Sequence, residues 1–402
     1  MEKAQRQVNG KTVNGLAQAG QIERKSERTR TCEALSVELW VIVIVLLAFG
    51  IVFVYSASAP YAIRKGLNSF AYAIRQGMYM LACIGLMILM QRVPVDALFR
   101  YSRLMLLVTV ILLAGLLIPG VGVSYNQACR WYQLPGGIHL QPAEFGKVVW
   151  IIYLSESIAR RKEKLGNFFE GLLLYTLITG FVAGLILKEP DFGNAFLIGL
   201  ISLVLLAAAG VPWRHFAVYV PIAAFVFYFF IYRVPYRWLR FKAAYNPWTN
   251  PLKEGYHLIQ AWTGIGSGGL TGQGLGMGIQ KLSYIPEPFT DFILAIIGHE
   301  LGFIGIVFVV LLFFLLFAVL RKITLIVKEF RRKLLALGIT TLIMSQTIIN
   351  MGVVMGIFPT KGLPLPFISY GGSSLMANGL AVGIMLRLLK ESAAAGLSDN
   401  GE

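Results

Sequence analysis

Asp291 closes the stretch Tyr284-Ile-Pro-Glu-Pro-Phe-Thr-Asp291 and stands directly before a run of about thirty mostly apolar residues. A carboxylate where a membrane span meets water is placed to take a proton from a lipid-borne substrate. Partial burial there raises its pKa toward the range that suits a general base. Thr290 and Asp291 are also favoured helix-cap types, so the same carboxylate reads as an N-cap, and the two roles are compatible. Glu287 lies four residues earlier, but Pro288 intervenes and interrupts any shared helical face.

Other ionisable groups fall at comparable depths. His299 and Glu300 lie about 13 Å further along the same expected helix. Burial of either charge requires a partner or water, and an interhelical bond is the simpler use of Glu300. Glu144 and Lys147 are three residues apart on one helical face, either an internal ion pair or a charged wall near an anionic lipid head group. Arg130-Trp131 is either a snorkelling cation with a belt aromatic or a pyrophosphate contact. Lys188-Glu-Pro-Asp191 reads as an N-cap cluster in a tight turn. Arg237-Trp-Leu-Arg240-Phe-Lys242 has the makeup of an amphipathic segment on anionic lipid.

Two stretches are irregular by composition. Gly264-Ile-Gly-Ser-Gly-Gly269 and Gly272-Gln-Gly-Leu-Gly-Met-Gly278 lack the Gly-Lys-Ser/Thr ending of a nucleotide loop, though close backbone approach to a phosphate stays open. Pro359-Thr-Lys361-Gly-Leu-Pro-Leu-Pro-Phe-Ile-Ser369-Tyr-Gly-Gly-Ser373-Ser374 cannot form a regular helix. Such backbone at membrane depth must line protein or a polar cavity, with Gln346 and Asn350 as partners.

The elements that must position these groups are membrane helices. The chain has 402 residues, of which 56% are hydrophobic and 14% charged, against about 25% charged in soluble proteins. Its mean hydropathy is +0.68. Ten apolar runs can span a bilayer: about 39–59, 71–91, 102–119, 142–158, 168–187, 193–211, 215–232, 291–320, 333–357 and 372–390. The fold class expected is an all-α polytopic membrane protein of ten transmembrane helices, with a large extracytoplasmic loop, 233–290, between helices 7 and 8. Residues 120–141 form a shorter outer loop.

The net charge of +16 reports orientation. Lysine and arginine concentrate in alternate short loops, at 92–103, 160–164, 214 and 321–333, which places both termini in the cytoplasm. No nucleic-acid-binding motif accompanies the charge, so no nucleic acid is expected. Residues 1–38 and 391–402 read as disordered cytoplasmic tails flanking a 39–390 membrane domain. Cys32, Cys83 and Cys129 make no disulfide framework, and four scattered histidines offer no zinc spacing.

Together the segments resemble the SEDS family (shape, elongation, division and sporulation), the RodA/FtsW/SpoVE-type polymerases of the bacterial cell wall. The matching pieces begin with Gly50-Ile-Val-Phe-Val-Tyr-Ser-Ala-Ser, then Arg130-Trp with Gln-Pro-Ala-Glu144-Phe-Gly-Lys147. Glu189-Pro-Asp-Phe-Gly and Gly266-Ser-Gly-Gly-Leu-Thr-Gly-Gln-Gly-Leu-Gly follow. Pro286-Glu through Thr290-Asp291-Phe and Pro-Leu-Pro-Phe-Ile-Ser369-Tyr-Gly-Gly-Ser-Ser complete a set covering roughly 40–390. The Pro359-Thr-Lys-Gly wording and the span of the glycine segment are closer to the division branch than to RodA, with an elongation or sporulation polymerase as the alternative.

The resemblance implies a peptidoglycan glycosyltransferase that polymerises lipid II, an undecaprenyl-pyrophosphate-linked disaccharide-pentapeptide, at the outer face of the cytoplasmic membrane during division. It implies a class B penicillin-binding protein transpeptidase and other divisome membrane proteins as partners. In the family's Pro-Glu-x-His-Thr-Asp motif the essential Asp falls on Asp291, while Phe289 stands where the family has His, and His299 where an acid is common. The implied step is proton removal from an acceptor sugar hydroxyl by Asp291 and inverting attack on the donor's anomeric carbon. The pyrophosphate that leaves is stabilised by Arg, Lys or a divalent cation (Mg2+ or Mn2+), with no resident metal site. Arg130, Lys147 and Lys281 are the expected anion contacts. Glu144 and Glu300 orient them or hold the helices, and Lys361 and Ser369 complete the substrate-binding set. The rival readings are a lipid II flippase, which calls for inverted repeats that the sequence does not display, and a non-catalytic scaffold.

Overall fold

A computed structural model describes residues 2–125, 128–135, 138–277, 288–359 and 362–398, with side chains described from Glu27 onward and omitted at 124, 125, 128, 138, 236 and 395–398. Every one of the ten apolar runs falls on helix. The first three helices are α1 (Glu2–Arg64), α2 (Ala71–Met90) and α3 (Val95–Leu116). A three-stranded antiparallel sheet follows, β1 (Val123–Tyr125), β2 (Ala128–Leu134) and β3 (Ile138–Leu140), in the order β1-β2-β3. The chain continues through α4 (Pro142–Arg160), α5 (Leu174–Lys188, entered by a π turn at Phe168–Leu173), α6 (Phe192–Ala208) and α7 (Tyr219–Phe227). Then come α8 (Pro235–Tyr245), α9 (Tyr256–Gly268), α10 (Ile293–Ile326), α11 (Phe330–Val354) and α12 (Gly372–Ser398).

Among the described residues, eight helices are long and apolar enough to cross a membrane. The other two expected spans differ for physical reasons. Phe192–Ala208 is apolar but has 17 residues, and Pro142–Arg160 carries charge at Glu144, Lys147, Glu156 and Arg160. Apolar side chains such as Ile74, Met78, Leu81, Phe303 and Phe314 point outward, where in water they would be an exposed patch and in lipid they are solvated. The span Trp213–Tyr232 buries none of its residues. It is tied to the bundle by the Tyr219–Thr176 hydroxyl pair at 2.8 Å and by ring contact of His215 with Phe168.

The segment expected as a disordered tail over 1–38 is helical from Glu2, and from Cys32 on it packs: Cys32 and Leu35 are buried beneath the bundle, and Arg28 reaches the Ile326 carbonyl. The boundary expected at residue 391 also fails, because α12 runs to Ser398. Glu391 binds Arg387 at 2.7 Å and Arg332 at 3.4 Å. Arg331 and Arg332 meet Asp96 at 2.7 and 2.9 Å, which completes a charged clamp at one end of the bundle. Asn350 lies nineteen residues along α11 from Arg331, about 28 Å toward the opposite end.

The 120–141 segment is the small exception to an all-α chain. Its strands alternate too briefly to stand out from a loop by pattern. The long 233–290 segment carries α8 and α9, and α9 packs against α10.

Candidate active site

Asp291 is half-buried, two residues before the first helical residue of α10, and Phe292 occupies the cap position. The N-cap role expected of Asp291 therefore passes to its neighbour. Two bonds fix the strip 289–291 against the proline-glycine loop. Asn350 Nδ2 donates to the Asp291 carbonyl at 3.0 Å and to the Leu363 carbonyl at 2.7 Å. The Tyr370 amide donates to the Phe289 carbonyl at 2.9 Å. Gly362 is exposed beside the carboxylate, and a Cβ built on it would lie 3.2 Å from Asp291 Oδ2.

The loop itself is held by α11 and α1. Gln346 Nε2 donates to the Pro364 carbonyl at 3.1 Å and to Ser374 Oγ at 3.2 Å. Gly50 of α1 lies under Phe367 and Ile368, where a Cβ would come within 2.7 Å of the Phe367 carbonyl oxygen. Ser369, expected as a substrate contact, is buried and its Oγ accepts the Leu365 amide at 2.9 Å, so it closes a turn within the loop.

Glu144 and Lys147 are both buried and meet at 3.0 Å. Their burial leaves no charged wall for a lipid head group, and the internal ion pair is what the structure contains; removal of one partner would strand the other. Glu300 is fully buried and accepts the Ser56 hydroxyl at 2.7 Å on each carboxylate oxygen, the interhelical bond the sequence favoured. Neither Lys147 nor Glu300 is exposed to a substrate. Lys281, Lys361 and Glu287 lie outside the described residues.

Arg130, half-buried on β2, donates Nε to the Glu189 carbonyl at 3.1 Å and a terminal nitrogen to the Pro190 carbonyl. Asp191 caps α6: its Oδ1 accepts the Asn194 amide at 3.2 Å and its Oδ2 accepts Gln141 Nε2 at 3.0 Å. Glu189 is buried in the same turn. Burial pushes its pKa up to about 8; the neighbouring Asp191 charge adds to the shift and Arg130 opposes it.

The glycine-rich stretch approaches protein backbone, where sequence left a phosphate open. Helix α10 breaks at Gly302, which has φ +66°. The carbonyls released by the break, of His299 and Glu300, each accept an amide at 3.0 Å, from Gln273 and Gly274. The Phe303 and Ile304 amides donate to Gly269 and Leu270 at 2.9 and 3.2 Å. A Cβ on Gly268 or Gly272 would come within 2.1 Å of the Gly298 or Glu300 carbonyl oxygen, so only glycine permits this approach. Ile293 to Glu300 are all buried, and lipid-facing residues begin at Phe303. The break thus separates an enclosed segment that carries Asp291 from the span below it.

Phe289 has a direct explanation. It is buried between Tyr61, Tyr72 and Tyr370, with ring centroids 5.5, 4.9 and 5.5 Å away. An imidazole there would be desolvated among aromatic rings, with Arg64 and Lys65 over Tyr61 close by. Sequence reasoning missed this cluster, although Tyr72, Gln76 and Tyr79 share one helical face.

Comparison with known proteins agrees with this architecture. A family model described as a cell cycle protein, covering FtsW, RodA and SpoVE, matches residues 37–394. A Geobacter sulfurreducens protein named "Probable peptidoglycan glycosyltransferase FtsW" is 40% identical over 359 residues, 88% of this chain and 95% of the relative. A Coxiella burnetii protein of the same name is 39% identical over 365 residues, 89% of this chain and 97% of the relative. Among solved structures, a chain from a peptidoglycan synthase complex that coordinates polymerization and crosslinking aligns with TM-score 0.73 and 27% identity, covering 88% of this chain and 97% of that one. The rod shape determining protein RodA of Thermus thermophilus aligns with TM-score 0.63 and 25% identity, covering 88% and 96%. A match across nearly the whole described bundle, with relatives at 40% identity, places this chain in the FtsW/RodA/SpoVE family, on its FtsW side.

Proposed function

We propose that this multi-pass membrane protein is a peptidoglycan glycosyltransferase of cell division, polymerising lipid II at the outer face of the cytoplasmic membrane with both termini inside. The observation that carries the reading is the setting of Asp291: a half-buried carboxylate at the end of the bundle opposite the charged clamp, fixed to the proline-glycine loop by Asn350. The names of relatives at 40% identity support the same activity. The reading counts α4 and α6 as spans beside the eight helices long and apolar enough to cross.

Asp291 takes the proton from an acceptor sugar hydroxyl as that oxygen attacks the anomeric carbon of the donor. The bond to pyrophosphate breaks, and undecaprenyl pyrophosphate carries the electron pair away. General-base catalysis supplies about 10²–10⁴-fold, and positioning supplies much of the rest. Arg130, half-buried and bonded to the Glu189 and Pro190 carbonyls, is one described cation that could face a diphosphate. A divalent cation at this step would supply positive charge to the leaving diphosphate; among the described residues no group of three His, Cys, Asp or Glu side chains converges that could hold one. A class B penicillin-binding transpeptidase is the partner that would consume the strands, and the solved synthase complex supports that pairing.

The test uses purified protein, labelled lipid II and the transpeptidase in liposomes. Glycan polymer is the expected product. Transfer of lipid II across the bilayer without polymer would make the protein a flippase.

A further inference from the structure

One stripe of α2 carries Tyr72, Arg75, Gln76 and Tyr79, spaced to face the same side. It packs against the loop that ends at Tyr370. Tyr72 and Tyr79 approach the Tyr370 ring at 5.5 and 6.2 Å, and Tyr61 of α1 lies 5.8 Å from Tyr72. All four tyrosines are half-buried, none of them enclosed in the core. Arg75 lies beside the Tyr370 hydroxyl, and Lys65 stands 5.1 Å over the Tyr61 ring. Gln76 is buried, with Nε2 given to the Ser369 carbonyl at 3.3 Å and Oε1 lacking any donor from the described residues. The Tyr370–Phe289 backbone bond places this cluster two residues from Asp291.

We propose that the cluster is a platform for sugar rings of the glycan strand, a reading that rests on the polymerase function and adds the place where the strand lies. Pyranose rings of amino sugars present C–H faces that stack on aromatic rings, while tyrosine keeps a polar edge for hydroxyls and amides. Arg75 and Lys65 complement the carboxylates of the peptide stems and the pyrophosphate. An aromatic belt at the lipid interface also collects tyrosines. Belt rings face outward, as the exposed stacked pair Tyr55 and Phe70 does. The four tyrosines of this cluster face one another and a loop bonded to the catalytic strip.

The experiment measures binding of lipid-free, β-linked amino-sugar oligosaccharides, released from cell wall by a muramidase, to the full chain in detergent. Wild type binds, and Tyr72→Ala and Tyr61→Ala each weaken binding roughly tenfold, while Tyr72→Phe keeps the ring and the affinity. In the lipid II assay the two alanine variants make shorter strands than wild type. Two positions on different helices, each checked for an unchanged thermal transition, guard against simple misfolding. Equal affinity in wild type and both alanine variants, or no binding by wild type, overturns the platform. Ring-dependent binding in a protein that makes no polymer upholds the platform and rejects the polymerase reading instead.

Discussion

Asn350 holds Asp291 from behind: its Nδ2 donates to the Asp291 carbonyl at 3.0 Å while the same nitrogen donates to Leu363 at 2.7 Å. One buried amide therefore joins the carboxylate's strip to the loop that flanks it. Asn350→Ala removes both bonds and leaves two carbonyls to find other donors, which destabilises by about 1–3 kcal/mol. Because a shift of about 1 Å in a reacting group can lower a rate 10²-fold, polymerisation falls further than stability does. The checks are a thermal midpoint and the initial rate on lipid II, measured on the same preparation.

Gly362 isolates the steric part of that arrangement. A Cβ 3.2 Å from Asp291 Oδ2 is too close for comfort, and Gly362 is exposed, so Gly362→Ala has little effect on the core. The variant is expected to keep wild-type thermal stability and to lose roughly tenfold or more in polymerisation rate by displacing the carboxylate. Wild-type kinetics would show that Asp291 turns away freely.

Glu189 gives the pH dependence. Its folded pKa, pushed up to about 8, lies above its ordinary value of 4.5, so the native state binds the proton more tightly than the unfolded chain does. That contribution is complete below about 4.5 and is lost as pH rises toward 8. Stability of the 188–191 turn, read as thermal midpoint against pH in detergent, falls across this window. Glu189→Gln, neutral at every pH, flattens the fall, and an unchanged slope would place the titration elsewhere.

Ser56 and Glu300 link α1 to the enclosed segment of α10 above its Gly302 break. Ser56→Ala takes one donor from a buried carboxylate and lowers stability by about 1.5–3 kcal/mol. Glu300→Gln keeps a hydrogen-bonding group and loses less. Urea or thermal titration of the two variants orders them, and the reverse order would contradict the link.

Much of this was legible in sequence because the bilayer forces it. Long apolar runs marked the eight helices long enough to cross, and prolines in the 359–371 segment announced a loop that Gln346 and Asn350 would have to satisfy. Asp291 stood out as a carboxylate at a span boundary. The illegible parts depend on contacts between segments far apart in the chain. Nothing local tells that Gly268 and Gly272 are small to admit the backbone of Gly298 and Glu300. Nor does sequence separate a buried Lys147–Glu144 pair from a lipid-facing one, since both need the same spacing. Ser369 was expected in the substrate-binding set, yet its hydroxyl accepts the Leu365 amide. Phe289 became intelligible only when three tyrosines appeared around it.

The central claim is that the Asp291 carboxylate is the base. Asp291→Asn keeps the size of the side chain and the backbone bond from Asn350, and removes the basic oxygen. The most direct measurement is the initial rate of glycan polymerisation from lipid II by Asp291→Asn, reconstituted with its transpeptidase and matched to wild type in amount and thermal stability. The account predicts a fall of about 10²–10⁴-fold with lipid II binding retained. Polymerisation within a few-fold of wild type would contradict it.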